Sequence, residues 1–233
     1  MPIHDWTRVK SGTFHDFHQD WTIEIRRTLN RGILPPGYFA MADQRVKGPE
    51  PDIVALKLRA HEPTRPSGLA VADAPPRTHH TLRADSERSA YARKADRIAI
   101  HHQLGRVVAM IELVSPGNKD SEHAFRAFTG KIVDFIYHGI NVVIVDLFPP
   151  IWDELVGEAF EARPADKTLT VASYEAGGEM TAYVDPIAVG DTLPDAPLFL
   201  APGWYVNIPL EATYNRSWAE TPQPIRDLVE VAV

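Results

Sequence analysis

The stretch that decides the fold is Arg106-Val-Val-Ala-Met-Ile-Glu112-Leu-Val-Ser-Pro-Gly-Asn-Lys119. It sets one carboxylate, Glu112, in an apolar run of strand-forming residues and breaks that run at a Ser-Pro-Gly-Asn turn. A charge in such a run is expensive to bury unless something meets it. Upstream, Pro51-Asp52-Ile-Val-Ala-Leu56 opens a second apolar run with a carboxylate at its mouth. If the two strands are neighbours, Asp52 and Glu112 converge at one opening of a sheet. Two convergent carboxylates repel unless a hard cation neutralises them. Magnesium suits that role, because it takes one or two carboxylates plus waters and phosphate oxygens. The alternative is that Asp52 caps a turn and Glu112 pairs with Arg97 or Arg106; spacing leaves both open.

Outward from this stretch the chain alternates helical and strand periods. Over 13–31, Phe14, Phe17, Trp21, Ile25 and Leu29 recur at three- and four-residue steps, the stripe of an amphipathic helix, and Asn30 to Gly32 stop it. Tyr38 to Val46 and Pro51 to Leu58 read as strands around a Gly48-Pro49-Glu50 turn. Residues 61–94 carry Pro63, Pro66, Pro75 and Pro76 among small polar residues, which predicts a long exposed connection with a short helical piece from Ser86 to Lys94. Asp96 to His102 and Arg106 to Val114 read as a β-hairpin. Phe125, Phe128, Ile132, Phe135 and Ile136 give 120–138 a helical face that Gly139 ends. Ile140 to Leu147 is a near-continuous β-branched run, the mark of a strand buried on both faces. From 148 to 233, prolines, tryptophans and polar turns predict a β-rich extension, with strands near 168–174, 180–185 and 204–210. The whole chain, 1–233, reads as one α/β domain with a core of about 13–147 and a mixed sheet.

The composition is that of an ordinary globular chain, 44% hydrophobic and 24% charged. The absence of cysteine excludes disulfides and thiolate chemistry. The opening residues lack a basic segment followed by an apolar stretch, so no signal peptide is expected and a cytoplasmic location is. No apolar run is long enough to predict a membrane span. A net charge of −7, from 24 basic and 31 acidic residues, gives no global pull toward nucleic acid.

Other chemistry is weakly signalled. Neither G-x-G-x-x-G nor G-x-x-x-x-G-K-[ST] occurs, so no nucleotide cofactor is expected. Ser115 lacks a nucleophile elbow and reads as a turn residue. His15 and His18 lie three apart on a helix and His101 adjoins His102, a thin case for zinc. His138 is placed to meet a helix C-terminus. Trp204, Tyr205, Tyr214 and Trp218 could stack bases, but read better as the core of the extension.

The motifs together resemble the DUF4058 family. They are Pro51-Asp52 opening a strand, Ile111-Glu-Leu-Val-Ser-Pro-Gly-Asn-Lys119, and Lys131 upstream of His138-Gly-Ile-Asn-Val-Val-Ile-Val-Asp146. Met1-Pro-Ile-His-Asp-Trp6, Phe14-His-Asp-Phe-His18 and Val206-Asn-Ile-Pro-Leu-Glu-Ala-Thr-Tyr214 add to the likeness, which covers nearly the whole chain. That family is similar to the Uma2 (DUF820) proteins of the PD-(D/E)XK nuclease-like superfamily. The resemblance implies a restriction-endonuclease-like αβββαβ core, and phosphodiester hydrolysis with Mg2+ or Mn2+ on a nucleic acid. Asp52 and Glu112 would hold the metal. Val114 stands where the superfamily carries its lysine; Lys131 on the following helix would take that role, with Lys119 and Glu24 as accessories. The competing reading of Lys131 is a surface lysine paired with Asp134 or Asp120. The competing reading of the whole is a non-catalytic binding or structural protein on the same scaffold, which Val114 and the acidic balance favour.

Overall fold

The amphipathic stripe of the first helix is realised as α1, Ser11–Thr28, with Phe14, Phe17, Trp21 and Ile25 buried. It runs into one wide turn, Leu29–Ile33, where Gly32 takes φ 127°, a value that disfavours any residue with a Cβ. The computed structural model of the chain describes residues 3–42, 53–58, 76–84, 101–102, 105–148, 168–177 and 180–230. In these, α1 is followed by β1 (Tyr38–Ala42), β2 (Ile53–Leu58), β3 (His80–Ala84), β4 (His101–His102), β5 (Gly105–Leu113), α2 (Glu122–Tyr137) and β6 (Asn141–Asp146). Then come β7 (Leu169–Glu175), β8 (Met180–Ile187), β9 (Asp195–Ala201), β10 (Trp204–Pro209), α3 (Leu210–Glu220) and α4 (Gln223–Glu230).

The fold is α/β around a mixed sheet. Its strands run in the order β1-β2-β5-β6-β7-β8-β3, with β4 also paired to β5, while β9 and β10 form a separate hairpin. β1, β2 and β5 are antiparallel neighbours, and β5 and β6 are parallel. A parallel pair needs a crossover, and α2 supplies it. Six consecutive buried residues in β6 follow from its cover on both faces. On one face Val143 and Val145 pack with Phe14, Trp21 and Ile25 of α1 and with the β9–β10 hairpin. On the other, Val142 and Ile144 pack with Phe128, Ile132 and Phe135 of α2.

Two expectations are corrected. The connection at 61–94 is not irregular throughout, because β3 lies within it and pairs antiparallel with β8. His80-Thr-Leu-Arg-Ala84 has no apolar alternation, so its strand character comes from the edge it joins, not from its own pattern. The C-terminal part is not β-rich throughout: it ends in α3 and α4. Leu210, Thr213, Tyr214, Ser217 and Trp218 are the buried stripe of α3; with Thr and Ser in that stripe, an apolar count does not find it. The expected strand at 38–46 is described as far as Ala42. Asp52, the helical piece near 86–94 and residues 96–100 lie outside the described residues. Among the described residues, no helix is long and apolar enough to cross a membrane.

The N-terminal segment is fastened to α3 and α4 by a buried polar node. The Trp6 indole donates to the Tyr214 hydroxyl at 3.1 Å, and the His4 ring stacks on Trp218 with centroids 3.7 Å apart. His4 Nδ1 lies 2.8 Å from the Tyr214 oxygen. With the Trp6 indole and the His4 backbone N–H (3.4 Å) both donating to that oxygen, the phenolic hydrogen is left for Nδ1, which accepts it as the lone-pair nitrogen of a neutral imidazole. Burial lowers the His4 pKa from 6.5, against the raising pull of Glu230 and Glu211. Unfolding below that ordinary value therefore takes up a proton. The stabilisation is complete above pH 6.5 and is lost as pH falls through the lowered native value. Urea melts at about pH 7.5 and about pH 5 should show the wild type losing more stability than His4→Phe, which keeps the stacked ring. Parallel losses in the two proteins would refute this.

Candidate functional site

Glu112 sits at the C-terminal end of β5, opposite Ile144 of the parallel strand β6. Alternation along β5 puts it on the same face as Met110 and Val114, which pack in the α2-side core. It is 4% exposed. A carboxylate in that position needs a cation, and the structure brings Lys131 to it: Nζ donates to Oε2 at 2.8 Å. Lys131 stands three residues after Phe128 and four before Phe135, both buried against the sheet, so its stem follows the packed stripe. Its ammonium is 5.9 Å from the centre of the Phe128 ring, within reach of that ring's quadrupole. Lys131 therefore pairs with Glu112 from the crossover helix, with 18% of its side chain exposed, where the competing reading had a surface lysine.

The turn between β5 and α2 sets this arrangement. The Val114 N–H donates to the Val145 carbonyl at 2.8 Å, carrying the parallel ladder past the end of β5. The Ser115 N–H and hydroxyl both donate to the Asn118 side-chain oxygen at 2.9 Å, and the Asn118 N–H returns to the Ser115 carbonyl at 3.0 Å. Ser115 is thus a turn residue, as its context predicted. Ser121 then caps α2 by accepting from the Ala124 N–H at 3.1 Å.

Lys119 leaves the same turn toward the end of β6. Its ammonium binds the Asp146 carboxylate and donates to the Phe148 carbonyl at 2.8 Å. The Phe148 N–H donates back to Asp146 Oδ1 at 3.1 Å. Asp146 is fully buried and Lys119 nearly so. Burial pulls the Lys119 pKa below its ordinary value, and the charge and hydrogen bond of Asp146 oppose the fall. Asp146 is the residue the sequence reading did not weigh. Its signal was a lone acid closing a β-branched run.

The remaining expected residues separate. Asp52 lies outside the described residues; β2 begins directly after it in sequence, with Ile53 opposite Ile111 of β5. Val114 is buried in the apolar core and brings no charge. Glu24 joins another contact: Arg216 Nε donates to it at 2.5 Å and Thr28 at 3.2 Å, tying α1 to α3. α1 covers the face of the sheet opposite α2. His18 Nε2 donates to the Leu113 carbonyl at 3.0 Å, and His138 donates from ring and backbone to Asp134 at the end of α2. Among the described residues, no three His, Asp or Glu side chains gather as a metal cage. Trp204, Tyr205, Tyr214 and Trp218 are buried, and offer no open face to a base.

A buried carboxylate oxygen already arranged around a cationic group is chemically fit for a hard divalent ion, which asks of the protein only one or two such ligands. No protein-family model, curated protein or solved structure matches this chain.

Proposed function

We propose that this protein is a DUF4058-type, nuclease-like phosphodiester hydrolase that uses Mg2+ or Mn2+ and acts on nucleic acid. The observation that carries the reading is the Lys131 ammonium 2.8 Å from Glu112, delivered from the crossover helix to the end of a buried strand. The order α1-β1-β2-β5-α2-β6, with antiparallel, antiparallel and parallel neighbours, supports a restriction-endonuclease-like core. In this reading Glu112 and Asp52 hold the metal, the second on its sequence position alone. The bound ion supplies Lewis-acid polarisation of a phosphoryl oxygen and a more acidic water. Lys131 stabilises negative charge developing on the phosphoryl group, and its four-carbon stem lets helix α2 deliver what a strand lysine at 114 otherwise would. The buried apolar wall of Phe128 and Val114 strengthens that electrostatic effect by keeping water back.

The test couples cleavage to binding. Manganese at roughly a hundred times its dissociation constant should stabilise the wild type by about 2.7 kcal/mol, a rise of roughly 5–10 °C in Tm for a chain of this size. Glu112→Ala should show no such rise and no metal-dependent cleavage of plasmid DNA or RNA. Equal shifts in both proteins, or none in either, would remove the metal site. Stabilisation without cleavage would favour a non-catalytic binding protein, the reading that net charge −7 and Val114 support.

A further inference from the structure

We propose that Lys119 is a tethered cation: its ammonium fills an oxygen-lined slot at the end of β6 and supplies a fixed positive charge where a second divalent ion would otherwise sit. The slot is built from the Asp146 carboxylate and the Phe148 carbonyl. The Phe148 N–H holds the other carboxylate oxygen in place at 3.1 Å. Thr170 stands directly across the ladder from Asp146, so its side chain leaves the sheet on the same side. It is fully buried, and its hydroxyl has no hydrogen-bond partner among the described residues. That gives a wholly buried carboxylate and a carbonyl on one ammonium, with an unused hydroxyl on the same face of the neighbouring strand, a donor set as suited to a hard cation as to a lysine. Lys119 and Asp146 are 9% and 0% exposed, so the cation is held by its cage and not by solvent.

The slot adjoins the Glu112 site. Asp146 lies two residues beyond Ile144, the partner of Glu112 in the parallel register. At ordinary strand spacing and rise, that sets the two Cα atoms about 8 Å apart on one face. Glu112 and Asp146 each carry their own lysine. Lysine fits the task because its ammonium is compact and donates in three directions, whereas an arginine fork would demand a flat, wider opening. The functional consequence, which rests on the proposed hydrolase reading, is a centre that takes one divalent ion at Glu112 and carries its second charge covalently. That charge does not depend on metal concentration and does not leave with product. The slot itself does not depend on that reading.

The experiment counts Mn2+ per chain by equilibrium dialysis with electron paramagnetic resonance, and follows Tm with and without MnCl2. Lys119→Ala should bind one more ion than the wild type and gain more Tm from manganese. Adding Asp146→Asn should remove the extra ion, and Lys119→Met, whose apolar arm fills the slot, should never acquire it. An unchanged count in Lys119→Ala, or an extra ion that survives Asp146→Asn, overturns the proposal. If Lys119→Ala does not fold in metal-free buffer, it is refolded from urea in MnCl2 and in EDTA. Recovery with manganese alone is the expected result, and recovery in neither overturns it. The wild-type count reads the Glu112 site separately. No ion in the wild type and one in Lys119→Ala leaves the slot standing and removes the Glu112 site. One ion in each removes the slot and leaves Glu112.

Discussion

Replacing Lys131 with methionine is expected to destabilise the protein by about 3 kcal/mol, because it strands the Glu112 carboxylate in a low-dielectric wall. Glu112 is almost wholly buried and Lys131 is 18% exposed, so the expected loss sits at the lower end for a broken buried pair. Methionine keeps most of the stem that packs beside Phe128, so the loss reports the charge rather than a cavity. Glu112→Gln in the same chain should recover much of it, since the stranded charge is then gone. Lys131→Arg should fall between, because a planar fork cannot reproduce a single 2.8 Å contact from the same stem. Urea midpoints on these proteins and on Glu112→Gln alone close the double-mutant cycle. If Lys131→Met lies within about 0.5 kcal/mol of wild type, as a substitution on an open surface would, or if the double variant recovers nothing, then the pair does not hold the strand end together. In the proposed hydrolase the same methionine variant should also lose about 10²-fold or more in cleavage, the usual scale for removing one preorganised electrostatic stabiliser.

The legible parts of this fold were those whose own side chains carry the period of the element. α1 and α2 declare themselves through phenylalanines and aliphatic residues at helical steps, and both start within about two residues of the expected places, ordinary scatter for a helix end. β6 declares itself through an unbroken β-branched run. Lys131 was legible for the same reason: once Phe128, Ile132 and Phe135 face the sheet, a residue in the same stripe points there too. What stayed hidden depended on contacts distant in sequence. β3 exists because β8 offers an edge, and His79 is held to Asp185 through its backbone N–H at 2.8 Å and its ring at 2.6 Å. Asp146 reads as the last residue of a strand until Lys119, 27 positions earlier, is seen to return to it. α3 was masked by Thr213 and Ser217 in its buried face. Both are there because the face is not purely apolar: the Trp21 indole donates to the Thr213 hydroxyl at 3.0 Å.

The largest single loss is expected from Trp218→Ala, at about 3–5 kcal/mol, the range for emptying a buried aromatic site that cannot collapse. Trp218 is 1% exposed and stands where four parts of the chain meet. Its ring lies under His4 of the N-terminal segment, edge-on to Trp6 at 5.7 Å and to Phe17 of α1 at 6.3 Å. Its indole N–H donates to Glu230 at the end of α4 at 3.1 Å. An alanine there leaves a void lined by rings from separate elements, each also fixed by other contacts, so they cannot close in. Trp218→Phe keeps an aromatic face for His4 while removing the donor to Glu230 and part of the ring volume, an expected cost of about 1–2 kcal/mol. Glu230 is half exposed and water can replace the indole. The two variants also differ in where they loosen the molecule. Because α4 and the segment around Trp6 both lean on this ring, Trp218→Ala should expose those two regions to limited proteolysis and to amide exchange ahead of β5 and β6, whose packing it leaves intact. Uniform loss of protection across the chain, or equal stability of the alanine and phenylalanine variants, would show that Trp218 fills space without joining the chain's two end segments.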